Sequence, residues 1–314
     1  MAPAILLVGA TGNTGQGVIQ ALPELLEKNK SLSEHRILAL TRSKDSPAAR
    51  KLSALPRVEV IEYTWSEITS EWLVQNEVVR VFIAPFNDPN AFASESQFLV
   101  EALHAGVKYV VRVSTTAANV TPASRPYYAR THWAIEQMLS QPDFAALHWT
   151  SLQPNMFLSF ALGPAAEYIK SYRESSSSGK LALTLDATTP MGMVDAAEVG
   201  VLAAHLLVSD DTSAYNQARL VINGPEDISG QDVVALVESH TGRKVEDVKY
   251  RDLTMIHQWA DAAPEGSKNV IRSLTHALVT GWEGKCKAST TSAEVLRLAP
   301  PKMTAEKYLA QMLE

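Results

Sequence analysis

Residues 5–22 read ILLVGATGNTGQGVIQAL, an almost wholly apolar run, then three glycines at intervals of three, then a helical pattern. Gly9, Gly12 and Gly15 thus form GxxGxxG between a buried-type strand and a helix. Each glycine has a physical task in that setting. The first permits a tight turn, the second lets backbone approach a pyrophosphate, and the third lets the helix pack closely on the strand. The helix N-terminus adds N–H groups and a dipole that favour an anion. Thr11, Asn13 and Thr14 place side-chain donors at the same turn. The stretch is a candidate dinucleotide site.

Outward from this turn, short apolar runs alternate with helix-period segments. Strands are expected at 4–9, 36–41, 57–62, 78–84, 108–114 and 146–153. Near-continuous apolar strands separated by helices predict a parallel sheet covered on both faces. Right-handed crossovers make it a Rossmann-type, doubly wound α/β layer. After residue 153 the pattern changes. The Ser-rich stretch 174–180 reads as a solvated connection. A strand at 218–224 leads to a helix opened by Ser229 and closed by Gly242, then to a strand in VEDVKY (245–250). The division expected is a Rossmann domain over 1–153 and a smaller C-terminal α/β substrate-binding portion over 154–314, with segments of about 190–224 returning to the sheet.

Composition limits the function. The 314 residues are 46% hydrophobic and 20% charged, with net charge −6, which suits a chain with a sizeable buried core. No basic field for nucleic acid or an anionic membrane surface is present, and no apolar stretch reaches the length of a membrane span. The single cysteine, Cys286, rules out an internal disulfide framework and fits a reducing compartment, so a cytoplasmic location is expected. His104, His148, His205, His240, His257 and His276 lack metal-ligand spacing, and Asp195 reads as a helix cap. No metal site is expected.

The second strand ends LALTRSK (38–44). NAD-selective sites carry an acid there for the ribose hydroxyls, whereas this strand end offers Arg42 with Ser43 and Lys44 behind it. A guanidinium suits a 2′-phosphate through charge and a bidentate fork, which predicts NADP(H).

VGATGNTG, LTRS, VFIAPF, VKYVVRVS, HWAIEQML and WTSLQPNMFLSF together resemble the NmrA-like family of atypical short-chain dehydrogenases/reductases. PMGMVDAAEVG and LVINGPEDISGQDVVALVESHTGRKV extend the likeness over about 4–250. GKCKASTTSAEV looks most like fungal members near the clavine dehydrogenases, which implies secondary metabolism. The family implies NADP(H) or NAD(H) binding, and its members divide between reductases and redox-sensing regulators that bind without turnover. By this resemblance Ala84, Pro85 and Phe86 run beside the cofactor diphosphate and nicotinamide ribose. Pro154 and Asn155 pass near the nicotinamide, and Met156 and Phe157 line the substrate pocket. The third strand ends IEYTWSE, without the acid many relatives place for the adenine, which leaves contacts near Thr64 and Trp65 unassigned.

Short-chain reductases use Ser, Tyr and Lys. Ser114 stands at the end of the fifth strand, with Thr115 and Thr116 as close substitutes. Pro126 starts a helix with Tyr127 and Tyr128 in its first turn, but four residues on stand Thr131 and His132. No lysine occurs between Lys108 and Lys170. Tyr128, His132 and Glu136 share one helix face. Either Tyr128 donates a proton with His132 near the ribose, or His132 is itself the acid with Glu136 holding its tautomer, since its reference pKa is about 6.5. A third reading has the helix simply pack on the sheet. The expected activity is NADPH-dependent hydride transfer to a small hydrophobic enone, quinone, imine or carbonyl compound. The alternative is a non-catalytic NADP(H) sensor, and a third class is an epimerase or dehydratase. Monomer and homodimer are both open.

Overall fold

The computed structural model describes residues 2–85, 87–175 and 179–314. Phe86 and the middle of the Ser-rich stretch, 176–178, lie outside the described residues. The first half of the chain runs β1 (Ala4–Val8), α1 (Asn13–Lys28), β2 (Arg36–Thr41), α2 (Pro47–Ser53), β3 (Val58–Glu62) and α3 (Ser70–Gln75). It continues through β4 (Val78–Ile83), α4 (Ala91–His104), β5 (Tyr109–Val113), α5 (Tyr127–Leu139) and β6 (His148–Pro154). Then follow α6 (Leu158–Ser175), β7 (Leu181–Ala182), α7 (Ala196–Leu207), β8 (Ala218–Ile222), α8 (Gly230–Thr241) and β9 (Val248–Lys249). The C-terminal part is helical: α9 (Thr254–Ala262), α10 (Glu265–Arg272), α11 (Val279–Trp282), α12 (Ala293–Leu298) and α13 (Ala305–Leu313).

Seven strands form one sheet in the order β3-β2-β1-β4-β5-β6-β8, and every neighbouring pair is parallel. The fold is therefore the Rossmann-type doubly wound layer that the alternating apolar strands predict. Each expected strand is present and ends within one or two residues of its apolar run. Only the strand within 245–250 is shorter, reduced to β9, which pairs with β7 in a separate two-stranded ribbon. Chain order reverses between β1 and β4, so the glycine turn after β1 opens at the switch point, where open α/β sheets bind ligands.

Both sheet faces are buried. One carries α1 and α7 over Ile5, Leu7 and Val111, and the other carries α4 and α5 over Leu6, Val81 and Val110. A third core joins α6, α8 and α13 with the β7 segment. Two glycines set the α1–α7 contact. A Cβ at Gly17 would lie 2.0 Å from the Ala197 carbonyl oxygen, and one at Gly200 would lie 2.1 Å from that of Thr14. Backbone touches backbone there, so α7 fixes the height of α1 on the sheet. Asp195 caps α7 by accepting the Ala197 N–H at 3.1 Å. Ser229 and Asp232 form a reciprocal capping box on α8, which Gly242 closes at φ +68°. Among the described residues no helix is long and apolar enough to cross a membrane.

Candidate functional site

The glycine turn is built from its own backbone. Gly9 has φ +90°, a region open to glycine, and its carbonyl accepts the Gly12 N–H at 3.0 Å. Gly15 sits against this turn so closely that a Cβ would lie 2.0 Å from the Gly9 carbonyl oxygen. Gly12 is the N-cap of α1 and has no side chain to satisfy the first-turn N–H groups. No acidic residue occupies that turn. The result is an uncapped helix terminus facing a groove bordered by Gly9, Thr11, Gly12, Asn13, Thr14 and Gly15. A helix end of this kind attracts an anion through orphan donors and dipole.

The groove, about 690 Å³, also reaches Arg42, Tyr63, Thr64 and Trp65, so the third-strand end borders it although it lacks the expected acid. Ser43 and Lys44 do not line it, contrary to the expectation from LTRSK. Their N–H groups are engaged elsewhere: Ser43 donates to Thr41 Oγ1 at 3.2 Å, and Lys44 to Glu62 Oε2 at the end of β3 at 2.8 Å. Only Arg42 of that trio is presented to the groove.

A second cavity, about 440 Å³, adjoins the first. Thr14, Ala84, Pro85 and Phe157 border both. Its wall carries Ser114, Tyr128, His132, Pro154, Asn155 and Met156, so the sequence-expected residues from β5, α5 and the β6 end converge on one space. Ile256, Trp259, Leu274 and Leu278 from the C-terminal helices close the other side. The Phe160 and Trp259 rings meet at 5.9 Å. No Asp, Glu, Lys or Arg is among the described residues that line this cavity.

Beneath the cavity lies a buried ionic network that sequence reading missed. Arg112 and Glu95 are both fully buried and form a forked pair, Nε to Oε1 at 2.7 Å and Nη2 to Oε2 at 3.1 Å. Glu136, 1% exposed, accepts Arg219 Nε at 2.9 Å, Ser151 Oγ at 2.6 Å and Ser114 Oγ at 2.9 Å. Arg112 Nη2 lies 2.8 Å from His132 Nδ1. The available signal was Arg112 itself, a charge inside an apolar strand, which demands a buried partner.

Three role expectations change accordingly. Glu136 does not hold the His132 tautomer, because it is spent on Ser114, Ser151, Gln153 and Arg219. Arg112 takes that place. A guanidinium only donates, so His132 accepts at Nδ1 and carries its proton on Nε2. Burial and the Arg112 charge hold the imidazole well below the usual histidine range, so it is neutral at pH 7 rather than a cationic acid. Ser114 donates its only proton to Glu136 and retains lone pairs alone, unlike a serine that orients a carbonyl by donation.

Tyr128 keeps its phenolic proton. Burial pushes its pKa up, against hydrogen bonds from Thr115 and Asn119, and Thr115 Oγ1 donates to the phenol at 3.3 Å. The Tyr128 and His132 rings meet edge to face at 6.0 Å, as the helix-face spacing predicts. Asn155 borders the cavity, but its amide nitrogen donates to Cys286 O, Asn223 Oδ1 and Gly192 O, and Oδ1 accepts the Met156 N–H. Its polar groups hold the loop rather than facing a ligand. Burial pushes the Cys286 thiol up, which keeps it protonated and poorly nucleophilic. Among the described residues no cluster of His, Cys, Asp or Glu could hold a metal ion.

No curated protein sequence matches the chain at a significant level. Among solved structures it is similar to an NADPH-dependent quinone oxidoreductase from Escherichia coli complexed with NADPH, with TM-score 0.71 and 18% identity over 99% of this chain and 100% of that one. It is also similar to Citrobacter sp. triphenylmethane reductase complexed with NADP(H), with TM-score 0.69 and 19% identity over 99% and 100%. A third similar structure is the negative transcriptional regulator NmrA in complex with NAD, with TM-score 0.69 and 16% identity over 98% and 94%. These likenesses carry the fold. The sequence itself matches the NmrA-like family over residues 1–309, and the chain belongs to that family.

Proposed function

We propose that the protein is an NADP(H)-dependent oxidoreductase acting on a small, uncharged, apolar acceptor such as an enone, quinone, imine or carbonyl compound. The observation that carries this reading is that Thr14, Ala84, Pro85 and Phe157 line both spaces, so the glycine-turn groove and the apolar cavity lie side by side against the same residues. The residues present fit the dinucleotide. First-turn N–H groups of α1 suit a diphosphate, Arg42 suits a 2′-phosphate, and Gly12 borders the groove without a side chain. Two similar reductases were crystallised with NADPH or NADP(H), which supports the cofactor class.

The bound nicotinamide supplies hydride. The chain's own residues do the remainder. Apolar side chains from α6, α9 and the 274–278 segment exclude water and orient the acceptor. Tyr128 O–H and His132 Nε2–H are neutral donors on one wall, and they stabilise negative charge as it develops on the acceptor's heteroatom. Tyr128 gives up the proton, and the pKa raised by burial favours its reprotonation, from solvent, before the next turnover. NADPH oxidation over a panel of neutral quinones, enones and imines tests the reading. Turnover with at least one acceptor is expected; NADPH binding without turnover across the panel overturns it.

A second reading, a redox sensor, draws on two observations: the absent lysine and the Ser114 proton committed to Glu136. It is supported by the likeness to NmrA, whose structure is a regulator bound to NAD. It requires NADP⁺ and NADPH to bind with different affinities, because equal affinities shift no equilibrium.

A further inference from the structure

A second polar cleft lies behind the wall of the apolar cavity. It is about 640 Å³ and is bordered by Arg125, Arg130, Arg272, His257 and His276, together with Ser273. Three guanidiniums and two imidazoles therefore face one concavity in a protein of net charge −6. None of its described lining residues is acidic. Among the described residues only Arg272 meets a carboxylate, Asp261 Oδ1 at 3.6 Å, while neither Arg125 nor Arg130 has one within ion-pair distance. Burial, and after it the Arg125 charge, hold the His276 imidazole below its usual range.

The cleft is held in shape by hydrogen bonds that leave donors over. Arg130 Nη1 donates to the carbonyls of Ser124 and Arg125, which fixes the turn before α5. Ser273 Oγ accepts the Tyr127 N–H at 2.9 Å and donates to Val270 O at 2.6 Å, tying α5 to the end of α10. Thr275 Oγ1 donates to Arg272 O at 2.8 Å. The guanidinium of Arg125 remains available to a ligand, whereas that of Arg272 is shared with Asp261.

We propose that this cleft binds a small polyvalent oxyanion, a phosphate or polycarboxylate group, separately from the dinucleotide groove. Guanidinium forks match the oxygens of such groups. A depression of this volume suits a small molecule, and a chain of net charge −6 offers no extended basic field to nucleic acid or an anionic membrane. The site also has a structural consequence. Ser273, Thr275 and His276 face the cleft, while Leu274, Ala277 and Leu278 of the same segment line the apolar cavity. An anion held in the cleft braces that shared wall.

Calorimetric titration of the full chain with inorganic phosphate and with citrate tests the proposal. Binding of either is expected, and the tighter one names the headgroup. Arg125→Glu should weaken it at least about tenfold, the scale of one lost charge-assisted contact. Arg125→Gln serves the same purpose should charge reversal prevent folding. Gly12→Val, which blocks the dinucleotide groove, should leave anion binding intact. Hydrogen exchange should slow on anion addition in residues 123–130 and 269–276. Absence of binding, retention of binding by the Arg125 variants, loss in Gly12→Val, or slowed exchange at residues 9–15 instead would each overturn the proposal.

Discussion

Two neutral donors, Tyr128 and His132, stand where a lysine-assisted tyrosine would be expected in a short-chain reductase. Arg112 explains how His132 serves there without a charge: it donates to Nδ1 and leaves Nε2–H for the cavity. Replacing Tyr128 by Phe and His132 by Ala together should lower turnover about 10²–10⁴-fold, the usual worth of a general acid, with NADPH affinity little changed. Steady-state kinetics beside a cofactor titration checks this, and unchanged turnover would remove the α5 face from the chemistry. Arg42 belongs to the same scale. NADPH should bind more tightly than NADH, and Arg42→Ala should erase most of the difference, about 1.5–3 kcal/mol for a charge-assisted contact. Equal affinities in the unmodified protein would sink the NADP(H) assignment.

At the scale of elements, α1 is positioned by glycines on two sides, and their substitution should separate binding from stability. A Cβ at Gly12 meets only the Gly9 carbonyl oxygen, at 3.2 Å, so Gly12→Val should fold while losing NADPH binding. A Cβ at Gly200 meets Thr14 O at 2.1 Å and Val18 N at 2.6 Å, so Gly200→Val must force α7 off α1. Overpacking of this kind costs about 1–3 kcal/mol or more. Urea melts should show the loss for Gly200→Val and little change for Gly12→Val. Thr14 borders both cavities, so the displaced helix should also weaken cofactor binding.

For the molecule as a whole, the buried network links stability to pH. Glu95, Arg112, Glu136 and Arg219 balance two negative charges with two positive ones, and a proton on His132 would be uncompensated. The folded pKa of His132 lies well below its unfolded value of about 6.5. Between those values the unfolded chain holds the extra proton, so this contribution is complete above pH ~6.5 and is lost as pH falls. His35, His205 and His276 are shifted in the same direction and add to the trend. Stability measured at pH 7.5 and again near pH ~5.5 should fall, with His132 responsible for up to about 1.4 kcal/mol per pH unit. His132→Gln, whose amide oxygen can accept from Arg112, should fall less over the same interval. An identical slope in the variant would contradict the neutral, buried imidazole.

The sequence by itself determined the parallel sheet, the glycine turn and the shared helix face of Tyr128 and His132, while the placing of Ser114 and the 154–157 segment beside them came from the family resemblance. The former follow from local periodicity and from glycine conformational freedom. The caps at Asp195 and Ser229 were legible for the same reason, since a cap acts within three residues. What a residue does after arrival was decided by tertiary structure alone. The Ser43 and Lys44 N–H groups go to Thr41 and Glu62, the Asn155 amide goes to Gly192, Asn223 and Cys286, Ser114 gives its proton to Glu136, and Arg112 rather than Glu136 fixes His132. Side-chain donors are few, so roles depend on partners 17 to 131 residues away that no local pattern encodes. The basic cleft has the same origin: Arg125 and Arg272 are far apart in sequence, and only the docking of α10 beside the α5 N-terminus makes them one site.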